Sequence, residues 1–220
     1  PFMMAMLSAL LFGAATPASK LLLQGIGPFQ LAGLLYLGAA FALVPAALRQ
    51  GGFALPARSD RRNRLRLSGA VVFGGIIAPV ALLFGLRLAG AASVSLWLNL
   101  ELAATAVLGV LVFRDHLGRK GWIGVALALL ASALLAGAPD SAGPLAVVLV
   151  LLACLCWGLD NHLTALIDGI SPSQSTLWKG SIAGSVNLII GLTFEPISAG
   201  FQQLSLALLV GALCYGASIV

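Results

Sequence analysis

Apolar residues along this chain follow neither the alternation of a half-buried strand nor the three-and-four rhythm of a surface helix. They come in unbroken runs close to the roughly 20 residues that carry a helix across a bilayer. Eight runs predict eight spans: Phe2–Leu23, Pro28–Leu48, Leu67–Leu86, Ala91–Phe113, Gly121–Ala138, Pro144–Ile167, Pro172–Phe194 and Leu204–Val220. Each is apolar all round. The helices of a soluble bundle would instead keep polar outer faces, and the strands of a membrane barrel would alternate and be shorter. The short connections predict antiparallel hairpins. The expected fold is all-α, a polytopic membrane helix bundle.

Composition agrees. Of 220 residues, 60% are hydrophobic and 9% charged, against about 25% charged in an average soluble domain. That balance excludes a soluble enzyme, a disordered region and a secreted disulfide scaffold. Cys154, Cys156 and Cys214 lie inside apolar runs and read as small core residues. Cys154 and Cys156 form CxC with no His–Cys set nearby, so neither a metal site nor a cofactor is predicted. The first run lacks the basic flank and cleavage site of a signal peptide. Both ends of the chain cut into apolar runs, which predicts a fragment.

The few charges are unevenly placed. Arg49, Arg58, Arg61, Arg62, Arg64 and Arg66 follow the second run; Arg114, Arg119 and Lys120 follow the fourth. The opposite side has only Arg87, with Lys20 near the end of the first run. The positive-inside rule then puts the arginine-bearing loops and the N-terminus in the cytoplasm. The basic stretch 58–66 has no interleaved aromatics, so no nucleic-acid partner is expected. It reads as a topology signal with some lipid-headgroup contact.

The chain repeats itself. Phe12-Gly13 matches Trp157-Gly158, and GIGPFQ at 25–30 matches GISPSQ at 169–174. Leu67-Ser68 through Gly74 resembles Leu204-Ser205 through Gly211. Spans 1, 2 and 3 thus map onto spans 6, 7 and 8. An offset of five spans is odd, so the copies have opposite orientations in the bilayer, a recurring plan of secondary transporters. The predicted units are residues 1–138, with spans 1–5, and residues 144–220, with spans 6–8 of an incomplete second copy.

These residues resemble the EamA family of the drug/metabolite transporter superfamily. Phe12-Gly13, Lys20 and Gly25-Ile26-Gly27-Pro28 are similar to its opening WG…K…G-I-x-P. Asn99-Leu100-Glu101 and Ala104-Thr105-Ala106-Val107-Leu108 resemble its N-L-E-P…T-A-L-L segment, with Leu102 in place of the proline. Where that helix usually ends in G-E-R-L, this chain has Arg114-Asp115-His116-Leu117. An arginine common in the family's second helix is replaced by Leu35-Tyr36 in the first copy and by Lys179 in the second. The resemblance implies a ten-helix bundle of two inverted five-helix repeats in the bacterial inner membrane. It also implies export of metabolites, amino acids or drugs.

Charges inside a bilayer are costly, at least about 2.5–3.5 kcal/mol each on insertion scales, and so mark where function is to be sought. Lys20, Glu101, Asp160 and Lys179 lie within spans. Glu101 is about 15 Å into span 4 and is expected to face a central cavity, to bind a cationic group or carry a proton. Asn99 and Trp97 are its neighbours. Asp160, Asn161 and His162 form the densest polar cluster, with Trp157 one turn earlier. Asp160 and Lys179 lie at similar depth on consecutive antiparallel spans, which predicts an ion pair. Charge exchange at both positions is then expected to restore what either single exchange loses. Lys20 lies near enough to a helix end to snorkel. Pro17 and Pro79 are predicted to kink spans 1 and 3, each removing the donor to the glycine carbonyl four residues earlier. Gly180 and Gly184 form GxxxG, a close-packing signal within the bundle, with an oligomer face as the lesser alternative.

The expected function is secondary active transport of a small molecule by alternating access, with Glu101, Asn99, Trp97, Trp157, Asp160, Asn161, His162 and Lys179 as binding or coupling residues. Coupling to protons is a further expectation. A membrane-embedded enzyme is the alternative, but the chain has neither H-E-x-x-H nor a P-loop, and Gly216-Ala217-Ser218 is only part of a nucleophile elbow. No catalytic residue is assigned. A channel or structural subunit is the other alternative. A channel would favour rings of identical groups in an oligomer, which a repeat within one chain does not need.

Overall fold

In the computed structural model, which describes residues 2–136 and 143–217, the chain is a bundle of eight helices. They are α1 (Phe2–Leu22), α2 (Pro28–Arg49), α3 (Arg61–Leu88), α4 (Ala91–Leu111), α5 (Arg119–Ala136), α6 (Pro144–Ala165), α7 (Pro172–Phe194) and α8 (Phe201–Ala217). No strand occurs among the described residues. Five helices, α2, α3, α4, α6 and α7, are long and apolar enough to cross a membrane. Leu10, Phe41, Leu134 and Phe201 project outward more than 65% exposed, as a surface solvated by lipid requires. The protein is a multi-pass membrane protein. Span 7 matches its predicted bounds, and the predicted ends at Ala138 and Val220 lie outside the described residues, as does Ser218.

Beyond shifts of up to three residues at helix ends, two features differ from the hydropathy reading. Helix α3 begins six residues before Leu67 and takes the arginine run into its first turns. The cause is Asp60, whose side chain caps the helix by accepting from the Asn63 backbone N–H at 3.0 Å. The Asn63 amide donates to the other carboxylate oxygen at 2.6 Å. The second difference is in α4, whose two segments, Ala91–Trp97 and Leu100–Leu111, meet at a tight turn. There Asn99, Glu101 and Leu102 donate to carbonyls only three residues back. The break precedes Glu101 and needs no proline.

Helix α2 is the axis of the bundle. Leu31, Ala32 and Leu35 are at most 2% exposed, because α7 packs on one side and α8 on another. The glycines explain the closeness. A Cβ at Gly180 would lie 2.8 Å from the Tyr36 carbonyl oxygen, and one at Gly184 would lie 2.8 Å from the Leu37 nitrogen. GxxxG therefore serves packing of α7 on α2 within the chain. On the other side, a Cβ at Gly211 would overlap the Leu35 carbonyl of α2.

The ends of α2 and α7 are tied reciprocally. Gln30, in the first turn of α2, donates to the Glu195 carbonyl at the end of α7, at 2.7 Å. Gln174, in the first turn of α7, donates to the Gly52 carbonyl just past the end of α2, at 2.8 Å. These are the two glutamines of GIGPFQ and GISPSQ. Gln174 also completes a capping box with Ser171. Gly51 and Gly52, at φ 101° and 85°, make the turn that presents the accepting carbonyl.

A third regularity lies in α3 and α8. Each contains a π-helical turn, Val71–Ile77 in α3 and Gly211–Ala217 in α8. The first packs on α7 and the second on α2. Pro79 follows the α3 turn directly, whereas Pro17 lies within an α1 that is helical throughout from Phe2 to Leu22.

Gly184→Ala is expected to destabilise the protein by about 1–3 kcal/mol, because its methyl meets α2 backbone. Gly124→Ala, with open space around the new methyl, should not; thermal unfolding in detergent compares them. A second expectation concerns Asp60, whose carboxyl is held below the ordinary aspartate range chiefly by the Asn63 backbone N–H. A lowered value stabilises the fold above the unfolded pKa, and that contribution is lost as pH falls through the folded-state pKa. Asp60→Ala should therefore lower the thermal midpoint at neutral pH and make no difference well below about pH 4.

Candidate functional site

The π-helical turn of α3 leaves backbone carbonyls without their usual helical donors, and three side chains supply the bonds. Tyr36 of α2 donates its hydroxyl to the Gly74 carbonyl at 2.6 Å, and Trp157 Nε1 of α6 donates to the same oxygen at 3.1 Å. Asn187 of α7 donates to the Gly75 carbonyl at 3.0 Å. Gly75 is the carbonyl four residues before Pro79, the one that proline is expected to free. Three helices thus converge on one turn of a fourth.

Beside that turn lies a cavity of about 440 Å³. Its polar wall is Glu101 from α4, Asp160, Asn161 and Thr164 from α6, and Thr176 and Lys179 from α7. Phe12, Tyr36, Trp157 and Tyr215 form the aromatic wall. Tyr215 stands with its ring centroid 6.0 Å from that of Phe12 and 6.1 Å from that of Tyr36. Helices before and after the α5–α6 connection contribute to both walls.

Asp160 and Lys179 form the ion pair that their equal depth predicts, with Lys179 Nζ 2.6 Å from Asp160 Oδ2. The other carboxylate oxygen accepts from Thr164 Oγ1 at 2.9 Å. Asp160 lies directly over Gly74, where any Cβ would overlap its carboxylate. Lys179 lies beside Gly75, its Cγ 3.3 Å from where a Cβ would stand. Two consecutive glycines therefore make the room for the pair. Glu101 is bound differently. Its Oε1 accepts from Asn161 Nδ2 at 3.0 Å, and Asn161 reaches on toward Thr105 Oγ1 at 3.4 Å. Glu101 stands in the first turn of the second half of α4, where a helix N-terminus favours a negative charge.

Five of the eight sequence candidates, Glu101, Trp157, Asp160, Asn161 and Lys179, therefore line one cavity. Three do not. Trp97 is 1% exposed in the apolar core, because the break in α4 turns it away from Glu101. Asn99 is exposed and donates to the Leu96 carbonyl at 2.9 Å, which fastens the break itself. His162 leaves the Asp160–Asn161 cluster for the end of α4. There Nε2 is 2.9 Å from the Thr105 carbonyl oxygen, Nδ1 is 3.6 Å from Asp115, and the ring stacks on Phe113. One helical step of about 100° per residue separates it from Asn161. Lys20, in the last turn of α1, caps the end of α3, donating to the Leu86 and Ala89 carbonyls at 2.7 and 2.8 Å. Among the described residues no group of three His, Cys, Asp or Glu is arranged to hold a metal.

Sequence reasoning did not select Tyr36 and Tyr215 as site residues. Tyr36 stands next to Leu35, the residue that the GIGPFQ/GISPSQ match sets opposite Lys179, and that match itself sets Tyr36 opposite Gly180. Tyr215 carried no comparable sign.

A polytopic helical bundle with charged groups around a central cavity is the architecture of a membrane transporter. The chain belongs to the EamA-like transporter family, whose model matches residues 2–137. It is also similar to an uncharacterized transporter of Methanothermobacter thermautotrophicus, 28% identical over 235 aligned positions that cover 97% of this chain and 67% of that protein. Family and relative point to a transporter rather than an enzyme, one that works in a membrane on a small-molecule substrate.

The pairing of Asp160 with Lys179 makes a specific prediction. Asp160→Asn leaves a lysine uncompensated inside the bundle and should cost about 3–5 kcal/mol, while the neutral double variant with Lys179→Met should recover most of it. Exchange of the two charges is a poorer test, because a lysine at 160 meets Gly74. Thermal unfolding of the single and double variants gives the coupling.

Proposed function

We propose that the chain belongs to a secondary active transporter that exports small metabolites, amino acids or drugs by alternating access between two inverted repeats. The repeats are residues 1–138 and residues 144–220. The carrying observation is the single cavity at which Glu101 from the first unit meets Asp160, Asn161 and Lys179 from the second. The reciprocal glutamine clamps and the paired π-helical turns support the inverted relation of the units. Substrate and coupling residues are Glu101, Asn161, Trp157, Asp160 and Lys179, joined by Tyr36 and Tyr215. Asn99 would act by holding the break beneath Glu101.

Proton coupling rests on Glu101. Its carboxylate accepts from a neutral amide, and among the described residues no cation forms an ion pair with it, so a proton or a cationic group answers the need. Asp160, matched by Lys179, is the electrostatic neighbour that exchange at Glu101 would disturb. The cavity extends to Ala165 and Thr176, near the ends of α6 and α7 on the arginine-bearing side. With that side cytoplasmic by the positive-inside rule, the N-terminus is cytoplasmic and the conformation is open inward. A bacterial inner membrane is the proposed location.

The test uses the complete gene. Cells or proteoliposomes are loaded with a radiolabelled panel of metabolites, amino acids and drugs, and efflux is followed across a range of pH. Glu101→Gln, at normal expression, is expected to abolish pH-dependent efflux. Unchanged efflux at every pH removes Glu101 from coupling, and the absence of any transported compound removes the transporter reading.

A further inference from the structure

A second concavity, of about 710 Å³, lies away from the central cavity, between the α2–α3 connection, α3 and α7. Its mouth carries Arg58 and Arg64. Its length is lined by Val71, Val72 and Ile76 of α3, with Ile182 of α7 opposite. From Arg64 to Ile76 the helix rises about 18 Å, close to the depth of one hydrocarbon leaflet. A pair of cations at headgroup level above an apolar trough of leaflet depth has the polarity profile of a single phospholipid.

The arginines are available. Neither takes part in the ion pairs among the described residues, whereas Arg66 is engaged by the Leu166 carbonyl at 2.6 Å and by Asn63 Oδ1 at 2.9 Å. Asp60, the acid closest along the chain, is turned to Asn63. The wall that carries Arg58 is also fixed in place. Trp178 Nε1 of α7 donates to the Ala54 carbonyl at 3.0 Å, Gln174 holds Gly52, and the Asp60 cap starts α3. Guanidinium groups bind phosphate through paired, charge-assisted hydrogen bonds.

We infer that this groove binds an anionic phospholipid, its phosphate between Arg58 and Arg64 and an acyl chain along Val72, Ile76 and Ile182. The trough runs along the outer face of the π-helical turn whose inner carbonyls hold Tyr36, Trp157 and Asn187. A bound chain therefore rests on the element that borders the central cavity.

The experiment uses the full-length protein in nanodiscs of mixed phosphatidylglycerol and phosphatidylcholine, with retained lipid counted by mass spectrometry after detergent washing. The protein is expected to retain phosphatidylglycerol over phosphatidylcholine, and Arg58→Gln with Arg64→Gln should lower that retention about tenfold. Arg61→Gln with Arg62→Gln removes the same charge beside the groove and should leave retention unchanged. Val72→Trp, which fills the trough and keeps both arginines, should also release the lipid. Equal retention of the two lipids overturns the proposal, as does an equal loss in the Arg61/Arg62 variant, which would make the attraction a general surface effect. Undiminished retention in Val72→Trp overturns the acyl-chain trough.

Discussion

A helix inside a bilayer has no water to satisfy a carbonyl that loses its donor, so any irregular turn must recruit side chains. The π-helical turn of α3 is the place where this protein meets that constraint. Tyr36, Trp157 and Asn187 come from α2, α6 and α7, and each ends on Gly74 or Gly75. The requirement of two carbonyls thereby fixes the relative height of four helices. It also explains the glycines. A side chain at 74 or 75 would occupy the space that the recruited groups and the ion pair now fill.

The charged residues follow from the same arrangement. Asp160 and Lys179 are tolerable at depth because they neutralise each other at 2.6 Å and lie in the hollow over Gly74 and Gly75. Glu101 is placed by a different irregularity, the tight turn at Leu98–Asn99, which ends one helical segment and begins another. The polar wall of the cavity therefore carries both a closed electrostatic pair and an acid bound to an amide. The two acids thus stand in different electrostatic settings, Asp160 against a lysine and Glu101 against an amide.

Much of this was legible in the sequence. Eight apolar runs gave eight helices, because hydropathy responds to length and lipid exposure, which composition records directly. The Asp160–Lys179 pair could be read because both residues lie a similar number of helical turns from one short hairpin. The start of α3 could not be, since hydropathy marks where lipid begins and Asp60 extends the helix beyond it. The break in α4 was equally hidden. The sequence offered Leu102 in place of a proline, and the turn arises instead from backbone bonds around Asn99. Trp97 and His162 were grouped with their neighbours by proximity along the chain, but a helix separates adjacent residues by about 100° and the break adds a further change of direction. Tyr36 is the instructive case, for its role depends on the carbonyl that the turn of α3 presents at Gly74, which the repeat match does not reveal.

Finally, Gln30 and Gln174 have a mechanical implication. Each fastens the beginning of one helix to the end of its antiparallel neighbour, and the glycines of α7 bring the two backbones together in between. Helices α2 and α7 thus form a cross-braced strut, secured at both faces of the bilayer and shared by the two halves of the molecule. A strut of this kind resists sliding along its length but leaves rotation about its own axis free. Under the alternating access proposed above, the other helices would swing around this strut as a stationary spindle.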